Sequence, residues 1–226
     1  MESPQTSRKT FEANLADLKS LVVEMGSRAE RMLGSAVLAV VNEDETLARE
    51  VIDSDDVLDR MELEIQSTCM VIIARDSPVA SDVRAIGAVM SISGELERIG
   101  DDAVSIAKKA ISMPGEFPRD YREDLIELSE KSRAMLLNVL SAFTKDDLEG
   151  LDSVIAADAE VDSIWKRIRR RIKDQIRANP DFLDTGLKVI QASHHLEYAS
   201  DHVVAIAERL EFLRTGNLVR FSRAQY

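Results

Sequence analysis

The chain has 226 residues, 45% of them hydrophobic, 31% charged and only 4% aromatic, with 9 Gly and 5 Pro, a composition that resembles long-helix proteins. A net charge of −12 at pH 7 argues against general nucleic-acid binding, which needs basic surface to displace counterions. One cysteine, Cys69, excludes an internal disulfide and fits a reducing compartment; in its helical apolar setting it reads as a small buried hydrophobe.

Leu15, Leu18, Val22, Met25, Ala29, Met32, Ala36 and Val40 recur at helical spacing and predict a first long helix, interrupted by NEDE at 42–45. Leu47, Val51, Leu58, Ile65 and Ile72 predict a second, stopped at Asp76-Ser77-Pro78, with Ser81 or a neighbour capping the next. A third helix carries Ile86, Val89, Ile92, Leu96, Ile99, Ala103 and Ile106 and ends near Met113-Pro114-Gly115. The same plan then repeats. Leu125, Leu128, Met135, Val139 and Phe143 form a fourth helix, broken around TKDDLEG. Val154, Val161, Ile164, Ile168 and Ile172 form a fifth, stopped at Asn179-Pro180. The last runs through Leu187, Ile190, Leu196, Val203, Ile206 and Leu210 to Thr215-Gly216-Asn217. No segment shows a period of two. No run approaches the roughly 20 apolar residues of a membrane span, and the N-terminal stretch lacks the apolar centre of a signal peptide. The expectation is a soluble cytoplasmic protein that meets a membrane only indirectly.

Duplication ties these elements together. LERIGDDAVSIA at 96–107 returns as LEYASDHVVAIA at 196–207, an offset of 100 residues; before the hairpin turn the offset is 103, as in Met32 with Met135 and Ile65 with Ile168. The fold class this predicts is all-α: two pseudo-symmetric antiparallel three-helix bundles, 1–115 and 116–226, each long enough for a modest core of its own.

The repeated segment carries Glu97-x-x-x-Asp101 and Glu197-x-x-x-Asp201. Each puts two carboxylates one turn apart on one side of a helix, a mildly destabilising arrangement that a cation would relieve. The preceding helices carry Asp55-x-x-x-Asp59 and Asp158-x-x-x-Asp162. Measured from the hairpin turns near 77 and 179, the pairs of one unit stand about 20 and 22 residues away and those of the other about 19 and 20, at a common rise of about 1.5 Å per residue. Two sets of four carboxylates are therefore expected at matched heights. Helical angles put them on an outer face or in a surface groove, which suits hard or borderline cations such as Mg, Ca, Mn or Fe, with Zn a further candidate. A single acidic pair in so charged a chain is most simply a solvated face; four pairs related by the repeat are harder to ascribe to chance. His194 projects near the second set and can add a nitrogen ligand, whereas Gly94 stands there in the first; His195 and His202 point elsewhere and read as packing or surface residues. No Glu-x-x-His occurs, which removes the ligand pattern of ferritin-like di-iron bundles.

The basic run Lys166, Arg167, Arg169, Arg170, Arg171, Lys173 and Arg177 is either a solvated helix face or an electrostatic patch for an acidic partner or membrane surface. Nucleotide loops are absent from the sequence.

With Leu before the Glu and small or apolar residues after the Asp, the duplicated motif resembles that of the PhoU family of phosphate transport system accessory proteins, over nearly the whole chain. LERIGD is close to the family form, in which His commonly follows the Asp; His202 keeps that feature and Asp102 departs from it, while Tyr198 replaces the usual Arg of the second copy. The resemblance implies multinuclear metal clusters on the bundle surfaces. It also implies a non-enzymatic negative regulator of phosphate uptake and starvation signalling, coupling the ATPase subunit of a phosphate ABC transporter to a sensor histidine kinase. A homodimer belongs to the same expectation. A metal-dependent phosphohydrolase using clustered carboxylates and a metal-free helical adaptor remain as alternatives.

Overall fold

The structure, a computed structural model, describes residues 4–113, 115–145 and 151–221, with side chains from residue 9 onward except at 152. Six helices follow one another: α1 Pro4–Asn42, α2 Glu45–Asp76, α3 Ala80–Ser112, α4 Arg122–Lys145, α5 Asp152–Ala178 and α6 Leu183–Thr215, with single 3-10 turns at Arg119–Tyr121 and Pro180–Phe182. Among the described residues there is no strand, and no helix is long and apolar enough to cross a membrane.

Local chemistry sets the breaks. Glu43 takes a left-handed φ of 58°, and Asp44 caps α2 by accepting a hydrogen bond from the Leu47 amide at 2.9 Å. Left-handed Ser77 ends α2. The expected side-chain cap at Ser81 or a neighbour is not found: the N-cap of α3 is Val79, whose side chain has no polar group, and Ser81 lies inside the first turn. Gly216, at φ 74°, closes α6 by donating its amide to Phe212 O at 2.8 Å. α1 begins well before the apolar repeat that predicts it, at Pro4, and Phe11 in that extension is buried. Pro114 and residues 146–150 of the TKDDLEG break lie outside the described residues.

The chain folds as two antiparallel three-helix bundles, α1–α3 and α4–α6, related by a pseudo-two-fold. The bundles meet along α1 with α4 and α3 with α6. Both contacts are antiparallel: Glu30 meets Arg133 and Asn42 meets Arg122 on the first, Asp102 meets His195 and Glu95 meets His202 on the second. Two separate cores are what duplication predicts. Instead the buried side chains of both bundles form one contiguous apolar cluster, because α1 and α3 carry apolar residues on the face toward the neighbouring bundle as well as toward their own. Cys69 is fully buried, and burial pushes its thiol up to about 11.

Candidate metal centre

In the first bundle, Gly100 lets α2 approach α3 so closely that an added Cβ would lie 2.6 Å from Leu58 Cδ2 and 3.6 Å from Asp55 Oδ1. An added Cβ at Gly94 would similarly stand 3.4 Å from Glu62 Oε1. This antiparallel register sets Asp55 beside Asp101 and Asp59 beside Glu97. Asp55 and Glu97 are half-buried, Asp59 and Asp101 exposed, so the four line an open outer face.

Their charges act on one another. Burial, then Asp101 and Asp59, raises the Asp55 carboxyl, with Lys108 opposing. At Glu97, burial and then Asp101, Glu62, Asp59 and Asp55 push the carboxyl up to about 7. Glu62, absent from the sequence prediction, therefore belongs to the set; it is half-buried and accepts a 2.7 Å hydrogen bond from Gln66. Five carboxylates facing partly toward water form an all-oxygen donor set, which fits a hard cation. Among the described residues no three His, Cys, Asp or Glu side chains stand close enough together to grip one ion; holding a cation here would require these side chains to swing inward.

The second bundle keeps the register but not the chemistry. Trp165 of α5 stacks on His194 of α6, with ring centroids 5.2 Å apart, and His194 lies 4.1 Å from the Tyr198 ring. That alignment sets Asp162 beside Glu197 and Asp158 beside Asp201. By the internal repeat Trp165 occupies the place of Glu62, His194 that of Gly94 and Tyr198 that of Arg98. Glu197, beside His194 in this stack, is only 2% exposed. The expected open surface site is thus corrected at this residue: bulky rings fill the space that Gly94 leaves open in the first bundle. Lys166 is bonded to Asp162 at 3.3 Å, and His194 Nε2 stands 3.6 Å from Glu197 Oε2. Burial, with His195 and Arg169, lowers the His194 pKa, which favours the neutral imidazole, the form that donates to a metal. The first set fits a hydrated hard ion, the second a smaller mixed oxygen–nitrogen site.

His195 and His202 sit between the bundles. His195 Nδ1 is 2.8 Å from Asp102 Oδ1 and His202 Nδ1 is 2.8 Å from Glu95 Oε2. Burial alone would raise the Glu95 carboxyl, but the hydrogen bond and charge of His202, with Arg98, hold it below the usual range. Neither pairing is visible in short-range spacing, because each joins residues more than 90 positions apart.

The basic run divides by helix face. Arg167 reaches Asp124 at 3.0 Å and Glu127 at 2.5 Å on α4. Arg171 pairs with Asp124 and donates to Asp120 O at 3.0 Å. Lys166, Arg169, Arg170, Lys173 and Arg177 are exposed, and the Arg169 guanidinium lies over the Trp165 ring, 5.1 Å from its centroid.

A family model described as the PhoU domain matches this chain twice, over residues 22–110 and 125–210. The chain is 34% identical over 212 residues to a phosphate-specific transport system accessory protein PhoU homolog of Pseudomonas aeruginosa, covering 93% of this chain and 87% of that one. Its fold is similar to the crystal structure of PhoU from P. aeruginosa, with a TM-score of 0.86 and 34% identity over 92% of this chain and all of that one. It is similar also to the phosphate transport system regulatory protein PhoU from Streptococcus pneumoniae, with a TM-score of 0.87 and 26% identity over 93% of this chain and all of that one.

Proposed function

The chain belongs to the PhoU family, and from that premise we propose that it is a cytoplasmic, non-enzymatic negative regulator of phosphate uptake and starvation signalling. In this role it couples the ATPase subunit of a phosphate ABC transporter to a sensor histidine kinase. The observation that carries the reading is similarity along nearly the whole length to proteins named as accessory to phosphate-specific transport.

Metal ions on the acidic faces belong to the same proposal. Asp55, Asp59, Glu62, Glu97 and Asp101 would hold a hard cation such as Mg, Mn or Fe at the first face. Asp158, Asp162, Glu197 and Asp201, with His194, would hold an ion at the second, where a nitrogen donor also admits Zn. Such an ion would neutralise the carboxylate repulsion that, after burial, raises Glu97, and would fix the distance between the paired helices.

Deleting the gene and assaying alkaline phosphatase in phosphate-rich medium tests the regulatory role. Derepression restored by the wild-type gene is the expected result, and unchanged repression would sink it. Calorimetric titration of the chelated protein with Mn, Fe, Mg and Zn, repeated on Asp101→Asn, tests the metal. Absence of binding to every ion would dispose of the metal while leaving the regulator standing. Metal-dependent hydrolysis of phosphate esters by the pure protein, lost on Glu97→Ala, would replace the regulator with a hydrolase.

A further inference from the structure

We propose that the outward face of α5 is a docking surface for an acidic helix of a partner protein. Lys166, Arg169, Arg170, Lys173 and Arg177 are all exposed. At 100° per residue they fall within an arc of about 100° and run about 16 Å along the axis, around a shallow hollow of about 290 Å³. The carboxylates beside this row stand at its two ends, Asp162 on Lys166 at 3.3 Å and Asp174 on Arg177 at 2.8 Å. Among the described residues Arg170 and Lys173, in the middle, have no intramolecular ion pair. A chain with a net charge of −12 thus concentrates positive charge on one helix face.

The duplication supplies an internal control. On α2 the matching positions are Leu63, Gln66, Ser67, Met70 and Ala74, and none of these side chains is charged. The bundle fold therefore does not require a basic row here. Solubility does not require it either, since Leu63 and Met70 are 64% and 59% exposed.

The form of the row selects the ligand. A small anion cannot span five cations spread over about 16 Å of helix. The fitting ligand is elongated, with negative charges repeating every 5–6 Å or so, the spacing of carboxylates at i and i+4 on a helix. The opposite edge of α5 already binds such a helix within the molecule, through Arg167 and Arg171 on Asp124 and Glu127 of α4. An anionic bilayer is the poorer fit. Interfacial helices add apolar insertion to basic charge, and among the described residues none of the large exposed hydrophobic side chains lies on α5. This inference is independent of the regulatory reading.

The test uses the full chain and a fluorescent alanine-rich helical peptide with Glu at i, i+4, i+7 and i+11, followed by anisotropy. The comparisons are a peptide of equal composition with its Glu residues spread around the helix, phosphatidylglycerol vesicles, and inorganic polyphosphate. The matched peptide should bind at 50 mM salt, weaken at least tenfold at 300 mM, and weaken at least tenfold on Arg170→Glu/Lys173→Glu. Arg31→Glu/Lys145→Glu, an equal charge change at exposed sites elsewhere, should leave binding within twofold. Absence of binding by the matched peptide overturns the proposal. So does equal binding by the spread peptide, indifference to Arg170→Glu/Lys173→Glu, or binding sensitive to that variant only with vesicles or polyphosphate.

Discussion

Around Glu97 the consequences of crowding can be read in the pH dependence of stability. Its folded pKa, about 7, lies above the ordinary value of 4.5, so between these values the folded chain holds a proton that the unfolded chain has lost. Stability from this group therefore falls as pH rises through that window and does not change outside it. In chelated protein, Glu97→Gln should raise the melting temperature by a few degrees at pH 8 and leave it nearly unchanged at pH 4. A melt that is insensitive to the substitution at both pH values would show that Glu97 is not under strain. Glycines give a second contrast on α3. Nothing lies within 4 Å of a Cβ added at exposed Gly87, whereas at Gly100 it would meet buried Leu58 at 2.6 Å. Gly87→Ala should stabilise by about 1 kcal/mol through helix propensity. Gly100→Ala should destabilise by about 1–3 kcal/mol through overpacking. Denaturant unfolding of the two variants is sufficient to distinguish these signs.

Between elements, the α1–α4 contact depends on a buried charge. Glu30 is only 8% exposed and accepts from Arg133 at 2.6–2.7 Å. Arg133→Ala would strand that carboxylate at a cost of about 3 kcal/mol. Glu30→Leu with Arg133→Met should recover most of the loss, and a double variant as unstable as the single would contradict this account. The breaks between helices are legible because apolar period, Pro and Asn breakers and the repeat all agree, whereas the start of α1 at Pro4 and the Val79 cap of α3 are not. The matched height of Asp55–Asp59 and Glu97–Asp101 was legible because it needs only residue counts from a turn. Glu62 was not legible, since its repeat partner is Trp165 and the duplication pointed away from it. The burial of Glu197 depends on Trp165, His194 and Tyr198 stacking across two helices, and the Glu95–His202 and Asp102–His195 bonds depend on the α3–α6 register. No local spacing encodes either.

At the scale of the whole molecule, one apolar cluster spans both bundles, so the halves should not melt separately. Calorimetry of the metal-free chain should show a single unfolding transition whose van't Hoff and calorimetric enthalpies agree; two resolved transitions would mean the shared core contributes little. The His–carboxylate bonds across α3 and α6 bear on what a fused duplication permits. In a two-fold dimer of identical subunits, residue i meets residue j and j meets i, so each position must serve both sides of the seam with one side chain. Here positions 95 and 102 are both acids, and their repeat counterparts 195 and 202 are both imidazoles. No pair of identical chains can present two acids to two imidazoles in this way. Joining the copies in one polypeptide lifted that constraint, and the resulting seam has a distinct acidic side and a distinct imidazole side, so the molecule has a polarity that its near-symmetric backbone lacks.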